Sequence, residues 1–217
     1  MKIKLNVPQS LADITLREYK QYEKIVNTNA GAENSERFVN LKMLEIFCGI
    51  TFEQARAIQL NDYNELLVHL YEVLQEQPKL VQRFKMGNVE FGFVPNLEEM
   101  TFGEYIDLDT YIHNMQEIEK AMAVLYRPIK TSHKDKYTIH EYQGDLLHDE
   151  MLNMPMDAVV SSIVFFYRLG IELSSAMMNC SEAVELQQAQ LAALRENGDG
   201  ISPFTLSLGA IFGDLKQ

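Results

Sequence analysis

The chain has 217 residues, is 47% hydrophobic and has a formal charge of −12 at pH 7. That is enough apolar material for a sizeable core in one domain. So acidic a surface repels phosphate backbones and argues against general nucleic-acid binding. The charge is unevenly spread: residues 1–95 carry 11 Lys+Arg against 12 Asp+Glu, a net of −1, and residues 96–217 carry 8 against 19, a net of −11. The two cysteines, Cys48 and Cys180, lie far apart without metal-ligand spacing, so each reads as a small buried apolar residue in a reducing compartment. No signal-peptide pattern is visible, and the most apolar segment, Ala158–Tyr167, is interrupted by Ser161 and Ser162; it reads as a core helix, with no membrane contact.

Taken in order, Lys2–Val7 alternates polar and apolar residues and predicts a short strand. Thr15 followed by Glu18 is a capping box, with Ile14 and Tyr19 placed as a hydrophobic staple, and opens a helix to about Val26. A second helix runs from Ser35 to about Cys48, where Gly49 stops it, and Thr51 restarts a short helix to about Ile58. Asn61 or Asp62 caps the next helix, whose apolar residues Tyr63, Leu66, Leu67, Leu70, Tyr71 and Leu74 keep helical spacing; Pro78 closes it.

Residues 83–94 form a hairpin about Gly87-Asn88, because that pair supplies the positive φ that a two-residue turn needs. Val89, Phe91 and Phe93 alternate along its second strand, and Pro95 ends it. Thr101 and Glu104 repeat the capping box, with Met100 and Tyr105 at the staple positions. Helix resumes over 114–126 with Ile118, Met122 and Leu125 as its seam; a bend at His113-Asn114 can divide the region, and Pro128 forbids continuation. Ile129–Lys136 reads as a polar loop, and KYTIHEY, with Tyr137 and Ile139 on one face, reads as a strand that can join the hairpin in a sheet of about three strands. Gly144-Asp145 opens a short helix to about Asn153. Pro155 opens the next, over residues 156–178, whose apolar run makes it the expected buried central helix. A further helix runs from Ser181 to about Arg195.

The expected fold class is therefore mainly α (α+β): one helical domain, 1–196, around a buried central helix with a small antiparallel sheet. It is followed by a Gly-hinged apolar tail, 197–217. In that tail Phe204, Leu208, Ile211 and Leu215 fall on one helical face; it packs on its own domain or docks on a neighbouring chain.

Motifs for chemistry fail on ligands or spacing. Asn197–Ile201 would need carboxylates where Arg195 and Leu206 stand to be a calcium loop. His140, Asp145, His148, Asp149 and Glu150 form the densest ligand-type cluster, but the two His are eight apart; a metal-dependent enzyme is the remote alternative. No phosphate-cradling loop or nucleophile motif is present, so the expectation is a non-enzyme with no cofactor. Arg127, Lys130, Lys134 and Lys136 make a basic island in the acidic half. Glu98, Glu99, Glu104, Asp107, Asp109, Glu117 and Glu119 make an acidic strip without a Lys or Arg before Lys120. Lys130, Lys134, Lys136, Phe204, Leu208, Ile211 and Leu215 are the candidate partner contacts. Island and strip could meet between copies of the chain in a ring.

The strings DITLREYKQYEKI, VEFGFVPNLEEMTFGEYIDLD and KAMAVLYRPI resemble a group of uncharacterised proteins encoded by tailed bacteriophages, over about Val7 to Asn197. These strings are caps, a turn and a helix stop, so the resemblance transfers no site residue. It implies a part in particle morphogenesis: a virion component of the head–tail connector or tail region, or a tail-assembly chaperone that binds the tape-measure protein. The implied partners are other phage structural proteins or a client tail protein, in host cytoplasm during assembly and in the virion.

Overall fold

Three threonines open helices by the same local exchange. Thr15 Oγ1 accepts from the Glu18 amide at 3.3 Å while Glu18 Oε2 accepts from the Thr15 amide at 2.8 Å, and α1 (Leu16–Asn29) begins. Thr51 with Gln54 opens α3 (Phe52–Arg56), and Thr101 with Glu104 opens α5 (Phe102–Tyr111). Each cap satisfies backbone amides that the first turn leaves without a helical partner, worth roughly 1 kcal/mol. Between them α2 (Ser35–Cys48) ends at Gly49, whose φ of +65° only glycine adopts freely.

The computed structural model describes residues 5–30, 35–134, 136–169, 171, 172 and 175. The chain divides into two compact units, Met1–Tyr167 and Arg168–Gln217; the elements named here belong to the first. The expected helix from Ser181 and the tail residues Phe204, Leu208, Ile211 and Leu215 lie outside the described residues.

Two early expectations are corrected. Leu5–Val7 is not a strand. The chain just after it is held by side chains reaching from and beyond α4 (Leu60–Leu74): His69 Nε2 lies 2.8 Å from the Pro8 carbonyl, and Glu76 accepts from the Leu11 amide at 3.0 Å. α4 itself starts earlier than Asn61 or Asp62. Gln59 occupies the N-cap and its carbonyl takes the Tyr63 amide at 2.8 Å, which places Asp62 in the first turn, where the helix dipole favours its charge.

The sheet is antiparallel throughout, in the order β1-β2-β3-β4. β1 (Arg83–Met86) and β2 (Val89–Phe93) meet at Gly87-Asn88, with Met86 opposite Val89. β3 (Tyr126–His133) overturns the reading of Ile129–Lys136 as a loop, and with β4 (Lys136–Ile139) makes four strands rather than about three. Pro128 does stop the preceding helix, but proline is compatible with extended backbone. Phe93 lies opposite Tyr126 and Phe91 opposite Pro128, while the Pro128 carbonyl accepts from the His140 amide. The β-branched Ile129 and Thr131 then suit the strand that pairs with β4. The architecture is mixed α+β, and the sheet excludes an all-α description.

The expected split of residues 102–126 occurs: α5 ends at Tyr111 and α6 (Ile118–Leu125) follows after a single turn of 3-10 helix, Met115–Glu117. α6, not the helix from residue 156, is the most deeply buried described element. Its Ile118 and the whole run Ala121–Leu125 are no more than 1% exposed. Ala121 and Ala123 are small enough for neighbours to close on every side. The later helix, α8 (residues 156–167 of the first unit), buries Met156, Ala158, Val159, Ser161 and Ser162, but Tyr167 turns outward. Short α7 (His148–Met151) precedes it.

The two serines that interrupt the apolar run of α8 have polar work. Ser161 Oγ accepts from the Val81 amide at 3.2 Å. Tyr126 donates its hydroxyl to the Val81 carbonyl at 2.6 Å and lies 2.9 Å from Ser162 Oγ. Burial pushes the Tyr126 phenol up to about 12, so it stays a donor. Around it Phe84, Phe91, Phe93 and Phe165 pack with ring centroids 5.1–5.7 Å apart, cementing the sheet to α8.

Candidate functional site

The candidate contact residues described by the structure gather on one hairpin. Lys130 lies on β3, Lys134 in the turn and Lys136 at the start of β4; all three are exposed. None makes an ion pair among the described residues. Lys134 sits at φ +54°, a left-handed conformation unusual for a side-chain-bearing residue, which fixes it at the hairpin tip.

Arg83 on β1 braces this hairpin. Its guanidinium stacks on the Tyr137 ring at 4.4 Å, donates to Ser132 Oγ at 3.1 Å and reaches the Lys134 carbonyl at 3.3 Å. Tyr137 in turn lies across Gly92 and donates its hydroxyl to the Phe93 carbonyl at 2.7 Å. Burial raises the Tyr137 phenol, against the pull of the Arg83 charge, so it remains protonated as a donor. The lysines are thus presented on a stiffened strand pair.

Arg127, counted with the lysines from sequence, does not belong with them. It is 7% exposed and pairs through Nη1 with Glu104 Oε1 at 2.8 Å. Glu104 is 6% exposed, and its other oxygen completes the Thr101 cap at 2.7 Å. One carboxylate therefore closes a helix end and neutralises a strand cation, fastening α5 to the sheet. The acidic strip is spent in the same way elsewhere: Glu117 pairs with Lys120, and Glu119 with Lys20. Asp107 accepts from the Tyr142 hydroxyl. Glu98, Glu99 and Asp109 remain exposed and make no ion pair among the described residues.

A feature not foreseen from sequence lies between those acids. Phe102, Tyr105 and Ile106 are 78%, 56% and 46% exposed, and their i, i+3, i+4 spacing sets them on one face of α5. Tyr105 had a local role as a staple partner of Met100, yet most of its ring is in solvent. The readable signal was the density of large apolar residues in a ten-residue helix whose own buried side needs only Glu104 and Leu108.

Beside the hairpin lies an open cleft of about 590 Å³, lined among others by Phe93, Val94, Pro95, Tyr137, Glu98 and Lys136. Its walls are mostly apolar, with one acid and one base. Among the described residues no three His, Cys, Asp or Glu side chains are placed to hold a metal ion. The Cys48 thiol is buried and pushed up to about 11, far from the reactive thiolate range. Among the described residues no helix is long and apolar enough to cross a membrane. No family model matches the chain, and no curated protein or solved structure matches it.

Proposed function

We propose that this chain is a non-catalytic structural or assembly protein of a tailed bacteriophage that works through protein–protein contacts, as a virion component of the connector or tail region. The resemblance of its capping and turn strings supplies the phage context. The observation that carries the contact reading is the exposed α5 stripe with acids that make no ion pair among the described residues, together with a hairpin bearing three exposed lysines that likewise make none. Large contiguous apolar exposure on a folded surface is the usual mark of a place where another molecule sits. The same stripe favours a second reading: a tail-assembly chaperone would need such a surface to shield an apolar client.

Quantitative mass spectrometry of purified particles from a phage that encodes the chain separates the two. A fixed copy number per particle is expected. Absence from particles, with abundance in infected-cell lysate, would overturn the virion reading in favour of the chaperone.

A further inference from the structure

We propose that two copies of the chain pair about a two-fold axis, the β3–β4 hairpin of each seated on the α5 stripe of the other. This deepens the contact reading at its own surface by naming the occupant. It does not depend on which phage assembly the pair enters.

The two patches have matched chemistry. The stripe offers two aromatic faces and an aliphatic side chain, with Glu98 and Glu99 before it and Asp109 one turn beyond Tyr105 and Ile106. From Pro95 to Glu119 there is no Lys or Arg. The partner must therefore bring cations, and apolar stems able to lie along rings. Lysines do both: the four-carbon stem covers apolar surface while the ammonium reaches a carboxylate or the face of an aromatic ring. The three lysines of the hairpin are exposed together and make no ion pair among the described residues, and Arg83 holds their strands in place.

The symmetry follows from position. Glu98 and Lys136 line the same cleft, so one acid and one base of the two patches sit side by side there. A two-fold rotation about an axis near the cleft brings the basic patch of each copy onto the acidic patch of the other, so the contact closes on itself. Rotation also keeps like charge from meeting like, which a chain of net −12 needs at any self-contact.

The test is charge exchange followed by sedimentation velocity on the full chain. The wild type is expected to sediment as a dimer. Lys134→Glu with Lys136→Glu in one variant, and Glu98→Lys with Asp109→Lys in another, each make both reciprocal contacts repulsive. Each is expected to weaken pairing at least about tenfold. Mixed in equal amounts the two variants restore both contacts at once, and the dimer returns. Thermal melts near the wild-type temperature show that each variant is folded. A monomeric wild type, variants that still pair, or a mixture that stays monomeric would overturn the proposal. A closed species larger than two would overturn the two-fold arrangement. A monomer that binds a basic amphipathic peptide on α5 would assign the stripe to a client instead. A monomer found at fixed copy number in particles would sink the pairing and leave the assembly reading standing.

Discussion

At Gly92 the absence of a side chain is what the sheet needs. A Cβ built there meets Tyr137 Cε2 in hard contact, lies 2.9 Å from Cδ2 of the same ring and 3.1 Å from Ile129 Cγ1. The ring cannot step aside cheaply, because its hydroxyl is bonded to the Phe93 carbonyl and its face is under Arg83. Gly92→Ala should therefore destabilise the fold by about 1–3 kcal/mol, the usual cost of overpacking. In a background of Tyr137→Ala the same change should cost much less, since the obstructing ring is gone. Urea unfolding of the four proteins checks this; additive losses would show that Gly92 matters for another reason. The alternation of Phe91 and Phe93 about Gly92 was legible in the sequence as a strand. That a tyrosine 45 positions later would cover the glycine was not, because the register linking β4 through β3 to β2 is a tertiary fact.

The elements repeat that division between local and long-range information. The capping boxes at Thr15, Thr51 and Thr101 are all formed, because a cap is made by residues three apart at a helix start, whereas Thr138 and Glu141 share the spacing but Thr138 lies on β4. The second duty of Glu104 was hidden, and so was the burial of Arg127. Sequence placed Arg127 among its basic neighbours, whereas β3 begins at Tyr126 and carries Arg127 opposite Gly92, within reach of α5. Likewise, the apolar run from residue 156 outweighs α6 in the sequence, since periodicity cannot tell which of two apolar helices the others enclose. The Glu104–Arg127 pair tests how α5 is fastened. Glu104→Gln keeps an oxygen for the Thr101 amide but leaves Arg127 charged and buried without its counter-ion, and should cost about 3–5 kcal/mol. Combining it with Arg127→Met, which removes the stranded charge, should recover a large part of that loss. Denaturant midpoints of the single and double variants decide it: a double variant as weak as the sum of the singles would mean that the two residues act independently.

For the whole molecule the question is what an acidic excess of −12 does to stability. Much of it is solvated or paired, but one carboxyl works against the fold. Asp157, at the start of α8, is held above its ordinary pKa, chiefly by burial and then by the charges of Glu76 and Asp13. Backbone amides, that of Ala158 among them, pull the other way without winning. These acids come from three separate places in the chain, brought together where α8 starts. Because the folded-state pKa is the higher one, the folded chain holds this proton more tightly than the unfolded chain does. The stabilisation from that proton is complete below the unfolded carboxyl value near 4 and is lost as pH rises through the folded value. The ionised form of Asp157 is therefore carried by the folded chain at a cost. Asp157→Asn keeps an acceptor oxygen for the Ala158 amide and removes the charge. It should be more stable than wild type at about pH 7, and the advantage should shrink steadily as the pH is lowered toward about 4. Parallel urea titrations across that range measure the difference directly. A gap between the two proteins that does not change with pH would mean that Asp157 is not the proton-linked group. A less stable variant at neutral pH would mean that its charge is welcomed at the helix start after all.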